Sequence, residues 1–228
     1  MSADHRARIG KMRRERTEAR ILEAAIEIFT ERGPDAPVVE DFIRAATISR
    51  GTFYNHYSTV QELLHATVEW LCRDLVESIR LELATIDDPL RRMVVGIRLG
   101  VRKSVSDPEW FNFIDKVHVS LGSEELRTDL LRGREQGVFH FQDVDVAFDL
   151  IDGGLMHWMR RQTRKKRGRG VGEDDLLRTL LRAIGTDPAT AERLLAEPPP
   201  PMKRVPHTFK AVRARLRAEA RAGFPSRE

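Results

Sequence analysis

Residues Ser49 to Leu64 read SRGTFYNHYSTVQELL, and Val38 to Ala46 just before them read VVEDFIRAA. In the earlier segment Val39, Phe42, Ile43 and Ala46 recur at three and four, which marks one helical face. Ser49 is a residue type whose hydroxyl caps free backbone N–H groups, so a new helix opens there. Phe53 and Tyr57 lie four apart and can pack back on the helices before them. Only Thr47 and Ile48 fill the turn ahead of that serine. Helix, tight turn and helix with this packing pattern is how many proteins set a helix into the DNA major groove.

The pattern continues outward as helix. Upstream, Ile21, Leu22, Ala25, Ile28 and Phe29 line one face of a helix that Gly33-Pro34 stops. Downstream, Leu64, Val68, Leu71, Leu75 and Ile79 follow near-heptad spacing on a long helix. Pro89 and Pro108 stand where helix N-termini are expected, and Glu124 to Arg134 reads as another helix ended by Gly137. Val144, Phe148, Ile151, Leu155 and Trp158 step by four and three, a seam suited to helix–helix packing. Leu177, Leu180, Leu181 and Ile184 mark one more apolar face. Strand alternation is scarce, so the expected fold class is all-α. A three-helix DNA-binding domain with a helix-turn-helix is followed by a larger helical regulatory and dimerisation domain. The expected divisions are a basic arm over 1–19, the helix-turn-helix domain over 20–66, the helical domain over 67–197, and a proline-led basic tail over 198–228. The segment FKAVRARLRAEARA in that tail reads either as a short basic helix or as unstructured when alone.

A chain of 228 residues is long for one helix-turn-helix module, which implies a second folding unit. A hydrophobic content of 41% suffices for its core. No apolar run approaches the roughly 18 residues needed to span a membrane, and the basic N-terminus lacks the apolar stretch of a signal peptide. A cytoplasmic protein with no membrane partner is expected. The single cysteine, Cys72, excludes an intramolecular disulfide; its helical neighbours Leu71 and Leu75 mark it as a small buried apolar residue. The net charge of +4 hides an asymmetry: residues 1–20 balance at +4, residues 202–228 at +6 and the middle at −6. Basic ends of this kind suit phosphate contact, above all the N-terminal arm beside the motif.

Three segments, RILEAAIEIFTERG, VEDFIRAATISRGTFYNHY and QELL, make residues 20 to 66 resemble the DNA-binding domain of the TetR family of bacterial transcriptional regulators. A further stretch, LLRGREQGVF, is similar to a glycine-punctuated piece of the family's regulatory half. The resemblance implies a two-fold dimer on DNA and a helical domain holding a pocket for a small effector. Two positions depart from the family pattern. Thr47 stands where a glycine usually supplies positive φ, at a cost of roughly 1 kcal/mol or more. Val60 stands where a lysine commonly touches phosphate.

Arg50 at the front of the recognition helix can reach a guanine edge or a phosphate. Gly51 lets the helix approach the groove, Thr52 can meet a thymine methyl, and Asn55 is a base or phosphate candidate. Tyr54 and His56 resemble the family's phosphate-contacting pair. Phe148, Ile151, Leu155, Trp158, Leu177 and Leu181 are the candidate dimer interface, with an intramolecular core face as the competing reading. Trp110, Phe111, Phe113, His118, Phe139 and Met156 are candidates for lining a ligand pocket, and glycines 96, 100, 122, 153 and 154 can leave room between helices. His118, His140 and His157 lack compact ligand spacing, so no metal is expected, nor any cofactor. The chain carries no nucleophile elbow and no phosphate-binding glycine loop, which argues against an enzyme. The expected function is a homodimeric repressor released from a palindromic duplex operator by a small molecule. The alternative is an activator or protein-recruiting DNA-binding factor without a ligand.

Overall fold

The computed structural model describes residues 3–117, 123–165, 172–198, 201 and 206–221. Eleven helices succeed one another among them: α1 (Ala3–Arg32), α2 (Val39–Ala46), α3 (Arg50–Tyr54), α4 (Val60–Leu83), α5 (Pro89–Ser106), α6 (Pro108–Val117), α7 (Ser123–Glu135), α8 (Val144–Lys165), α9 (Glu173–Ala183), α10 (Pro188–Leu195) and α11 (Phe209–Arg221). The described residues contain no strand, so the fold is all-α. Two compact units form. The first draws on residues 1–71, 116–118 and 207–228, and the second on 72–115 and 119–206.

The first unit is built around a line of aromatic rings. Phe29 meets Phe42 at 5.2 Å between centroids, Phe42 meets Phe53 at 6.4 Å, and Phe53 meets Tyr57 at 6.3 Å. Phe29, Phe42 and Phe53 are fully buried, as is Ile21, with Leu63 and Leu64 from α4 closing the same core. Each such side chain contributes about 1.5–3 kcal/mol on burial. Phe53 therefore fixes α3 to the core by one residue while the rest of that short helix faces outward.

The arm expected over residues 1–19 is the first half of α1, a helix of 30 residues. Residues 11–15 are exposed, and the helix is supported there by a Lys11–Glu15 pair one turn apart and by the Thr17 hydroxyl donating to the Arg13 carbonyl at 3.0 Å. The segment left open between helix and coil is α11, and it belongs to this same unit. Phe209, Leu216 and Ala220 are buried along one face of α11. Arg213 donates to Glu27 at 3.1 Å, and Arg217 donates to Glu23 at 2.9 Å and to Glu27 at 2.8 Å. Pairing 213 with 27 and 217 with 23 makes α11 antiparallel to α1. A helix this short is marginal alone; its apolar face and these ion pairs supply what propensity does not.

The second unit begins within α4 and contains α5 to α10. Asp88 caps α5 by accepting from Leu90 N–H at 2.9 Å, with Pro89 at the first helical position, as the sequence indicates. Arg98, almost fully buried, ties α5 to the far end of the unit through the Glu197 carbonyl at 2.7 Å, the Leu195 carbonyl at 2.9 Å and Asp174 at 2.7 Å. α10 was not read from the sequence, although Asp187-Pro188 signals it: the Asp187 carboxylate accepts from Thr190 N–H at 2.8 Å. Gly133 is required by its neighbour, since a Cβ there would lie 2.2 Å from the ring of Phe139. Cys72 is buried, and burial pushes its thiol pKa up, out of reach of thiolate chemistry at neutral pH.

Candidate nucleic-acid interface

The turn between α2 and α3 keeps the left-handed conformation that the family pattern assigns to glycine. Thr47 has φ 51° and ψ 56°, and the following N–H of Ile48 returns to the Ile43 carbonyl at 3.1 Å. An arginine from α1 closes the arrangement. Arg20 donates through Nε to the Ala46 carbonyl at 3.2 Å and through Nη2 to the Thr47 carbonyl at 2.6 Å, with a further short contact from Nη2 to Ala46. A guanidinium over the open carbonyls of a helix end is favoured by both hydrogen bonding and the helix dipole. The strained turn is thereby held in place without remodelling. At the other end of α2 there is no side-chain cap on Val38, but Asp41 reaches back to accept from Val38 N–H at 3.0 Å. That bond, helped by Arg32, holds the Asp41 carboxyl below its ordinary pKa.

Ser49 caps α3 as its position predicts: its Oγ accepts from Thr52 N–H at 3.1 Å and shares a 2.8 Å hydrogen bond with the Thr52 hydroxyl. Arg50, Gly51, Tyr54 and Asn55 are exposed, while Thr52 and His56 are partly buried. Tyr54 stands 49% exposed, its ring edge-on to Phe53 at 5.6 Å, so the buried ring orients the exposed one. Arg50 is ion-paired with Glu40 of α2. This contact holds the guanidinium at the front of α3. Burial lowers the His56 pKa from its ordinary value against the pull of Glu18, so the ring is neutral at neutral pH. Val60 opens α4 without a charge. The Thr59 hydroxyl accepts from Glu62 N–H at 3.0 Å and Glu62 accepts from Ser58 N–H at 2.6 Å, which caps α4 from both directions. Arg20, the residue that holds the turn, was not singled out in the sequence; its place at the head of the motif segment is the one signal that pointed to it.

The second unit contains a cavity of about 380 Å³ lined by α4, α5, α6, α7 and α8. Trp110, Phe111 and Met156 line it as expected. Phe113 and Phe139 are buried but do not line it: Phe139 packs on Gly133, and Phe113 lies off the α6 face that carries Trp110, Phe111 and Ile114. His118 and Gly122 lie outside the described residues. Gly96 and Gly100 face the cavity, whereas Gly154 serves close packing, with Leu180 3.2 Å from where its Cβ would be.

The seam read as a dimer interface faces inward. Phe148, Ile151, Trp158, Leu177 and Leu181 are buried within the chain itself, and Leu155 lines the cavity. The four-and-three spacing correctly marks a packed face, but the chain's own helices fill it. The exposed side of α8 carries Val146 and Leu150 instead, 67% and 47% exposed, with Gly153 and His157 further along.

A chain that presents a polar helix outward from a helix-turn-helix core, and adds a second helical unit with its own cavity, is a DNA-binding transcriptional regulator in architecture. The description of bacterial regulatory proteins of the tetR family matches residues 21–67. The chain is 34% identical over 142 residues to the HTH-type transcriptional regulator CymR of Pseudomonas putida, covering 61% of this chain and 68% of CymR. It belongs to the TetR family. It is also 32% identical over 95 residues to an uncharacterized HTH-type transcriptional regulator of Mycobacterium tuberculosis, where the match takes in 40% of this chain and only about half, 47%, of the relative's length. Among solved structures it is similar to RolR without ligand, with 26% identity, a TM-score of 0.62, and coverage of 82% of this chain and 100% of that one. The complex of RolR with resorcinol is similar at 25% identity and a TM-score of 0.57, covering 84% and 98% of the two chains. The two curated relatives are named as HTH-type transcriptional regulators. No helix among the described residues is long and apolar enough to cross a membrane.

Proposed function

We propose that this protein is a homodimeric repressor that binds a palindromic operator and leaves it when a small molecule occupies the second unit. The observation that carries this reading is α3, which is pinned by buried Phe53 while Arg50, Gly51, Tyr54 and Asn55 stand exposed on its outer side. Arg50 is the candidate for guanine or phosphate, Thr52 for a thymine methyl, and Tyr54, Asn55 and His56 for the flanking phosphates and bases. The exposed first half of α1 adds Arg8, Lys11, Arg13 and Arg14 as a helical arm for phosphate.

One such module reads few base pairs, so two copies set about 34–36 Å apart are needed for a full site. The exposed α8 stripe of Val146, Leu150, Gly153 and His157 is our proposed contact between copies, because it is the apolar side of α8 that the chain leaves uncovered. The cavity, and the two solved forms of RolR with and without resorcinol, support an effector as the release signal. Release requires that the ligand bind the DNA-free arrangement more tightly than the DNA-bound one.

Selection of binding sequences from random duplex DNA tests this. An enriched palindrome, bound by the parent and lost with Arg50→Ala plus Tyr54→Ala, is the expected result. Operator binding that survives both substitutions would remove α3 from the interface. Leu150→Glu is expected to yield monomers by sedimentation, and a dimer that persists would place the contact elsewhere.

A further inference from the structure

The cavity of the second unit is apolar over most of its wall and polar at one end. Leu75, Ile79, Met93, Ile97 and Phe111 represent the apolar part. Two ion pairs form the polar end: Arg80 donates to Glu125 at 2.9 Å, and Arg92 donates to Asp129 at 2.7 Å. Asp152 also lines the cavity and has a partner of its own. Arg92 is the most heavily committed donor here, while the buried Nε1 of Trp110 on the cavity wall has no hydrogen-bond partner. Arg92 spends Nε on Asp129 and Nη1 on the carbonyls of Leu83 at 2.8 Å and Ile86 at 3.2 Å. The acceptors are not all committed. Asp129 is 3% exposed, and its contacts with both Arg92 and Arg132 fall on Oδ1. Oδ2 has no partner among the described residues. The unpaired oxygen of a buried aspartate beside an apolar space is an acceptor open to a ligand's donor.

Charge narrows the occupant further. Asp129 is already balanced by Arg92, and Glu125 by Arg80, so an anion brought here would meet three carboxylates and no unpaired cation. A cation would lose its water without an unpaired counter-charge. Size sets the last limit. An apolar cavity of about 150 Å³ holds one benzene ring, so one of about 380 Å³ admits two.

We infer that the cavity takes an uncharged, apolar molecule of one or two rings bearing a hydroxyl or amine that donates to Asp129, and that it rejects the matching carboxylate. This rests on the reading that the cavity is an effector site, and it is tested on the full chain without DNA. β-Naphthol, naphthalene and β-naphthoate are titrated separately near neutral pH, with binding followed by calorimetry. β-Naphthol is expected to bind at least tenfold more tightly than either of the others, since a hydrogen bond to a charged partner supports that ratio. Equal or tighter binding of naphthalene or naphthoate overturns the inference, as does no binding by any of the three.

Two variants locate the effect. A Cβ at Gly100 meets nothing within 4 Å, so the side chain of Gly100→Leu has open cavity to enter. That variant is expected to keep its melting temperature and lose β-naphthol; retained binding would put the site elsewhere. Asp129→Asn is expected to bring β-naphthol within threefold of naphthalene. Should Asp129→Asn fail to fold, the ratios in the parent and the Gly100→Leu result still decide. β-Naphthol that binds with the expected ratios but leaves the operator complex intact would count against effector release and leave this assignment standing.

Discussion

Thr47→Gly should stabilise the DNA-binding unit. Thr47 is the one non-glycine with positive φ among the described residues. At φ 51° and ψ 56° an L-residue is disfavoured by roughly 1–2 kcal/mol, and a β-branched one sits at the upper end. The side chain is exposed, so its removal takes away no packing. The opposing term is the greater freedom of glycine in the unfolded chain, worth about 0.5–1 kcal/mol. The net is about 0.5–1 kcal/mol in favour of glycine. Arg20 bonds to the carbonyls of Ala46 and Thr47, which the substitution leaves in place. Urea unfolding followed by circular dichroism measures the change, with Thr47→Ala as the control. Alanine retains the Cβ that makes this conformation costly, so it should stay close to the parent while glycine gains. If alanine and glycine behave alike, or glycine destabilises, then the turn is not strained and Arg20 is holding something other than a disfavoured backbone.

Tyr57→Phe should be neutral or stabilising by about 1 kcal/mol in the same unfolding assay, because the buried Tyr57 hydroxyl has no hydrogen-bond partner; clear destabilisation would mean the hydroxyl is satisfied. Leu216→Ala should destabilise by about 2–5 kcal/mol, since that side chain of α11 is 1% exposed. Arg217→Ala, whose ion pairs to Glu23 and Glu27 are exposed to solvent, should cost clearly less than Leu216→Ala. The reverse order would make charge rather than apolar burial the tie between α11 and α1. Burial lowers the His56 pKa in the folded state, so the unfolded chain takes up the proton first as pH falls. Stability from this group is present above about 6.5, the unfolded value, and is lost as pH falls through that value toward the folded one. Urea midpoints measured across that window should fall less in His56→Asn than in the parent, and identical slopes would discount the burial.

Many of the helix boundaries are legible from local chemistry. Ser49, Pro89 and Gly137 act within a few residues of their own positions, and they stand where capping and turn geometry put them. Phe53 and Tyr57 are inward because their spacing from each other and from Phe42 leaves one face for them. Periodicity, however, says that a face is packed and not what it is packed against. The α8 residues Phe148 and Ile151 have interface spacing, yet the chain buries them itself and leaves Val146 and Leu150 outside. Arg20 and Ala46 are 26 residues apart, and the bond between them depends on how α1 crosses α2. The cavity is harder still to read in advance. Trp110 and Phe113 are both buried aromatics on α6, and the placement of four other helices separates the one that lines the cavity from the one that does not.

The antiparallel pairing of α11 with α1 also bears on how the protein is made. Glu23 and Arg217 are separated by 194 positions in the chain. At ~5–20 residues per second a ribosome needs about 10–40 s to cover that distance. For most of this interval α1, α2 and α3 are already synthesised without the helix that completes their unit. Phe209, Leu216 and Ala220 seal it only once α11 has been synthesised. Loss of α11, through a premature stop codon or a lagging ribosome, would therefore be felt first far away in the sequence, in the unit that holds the helix-turn-helix.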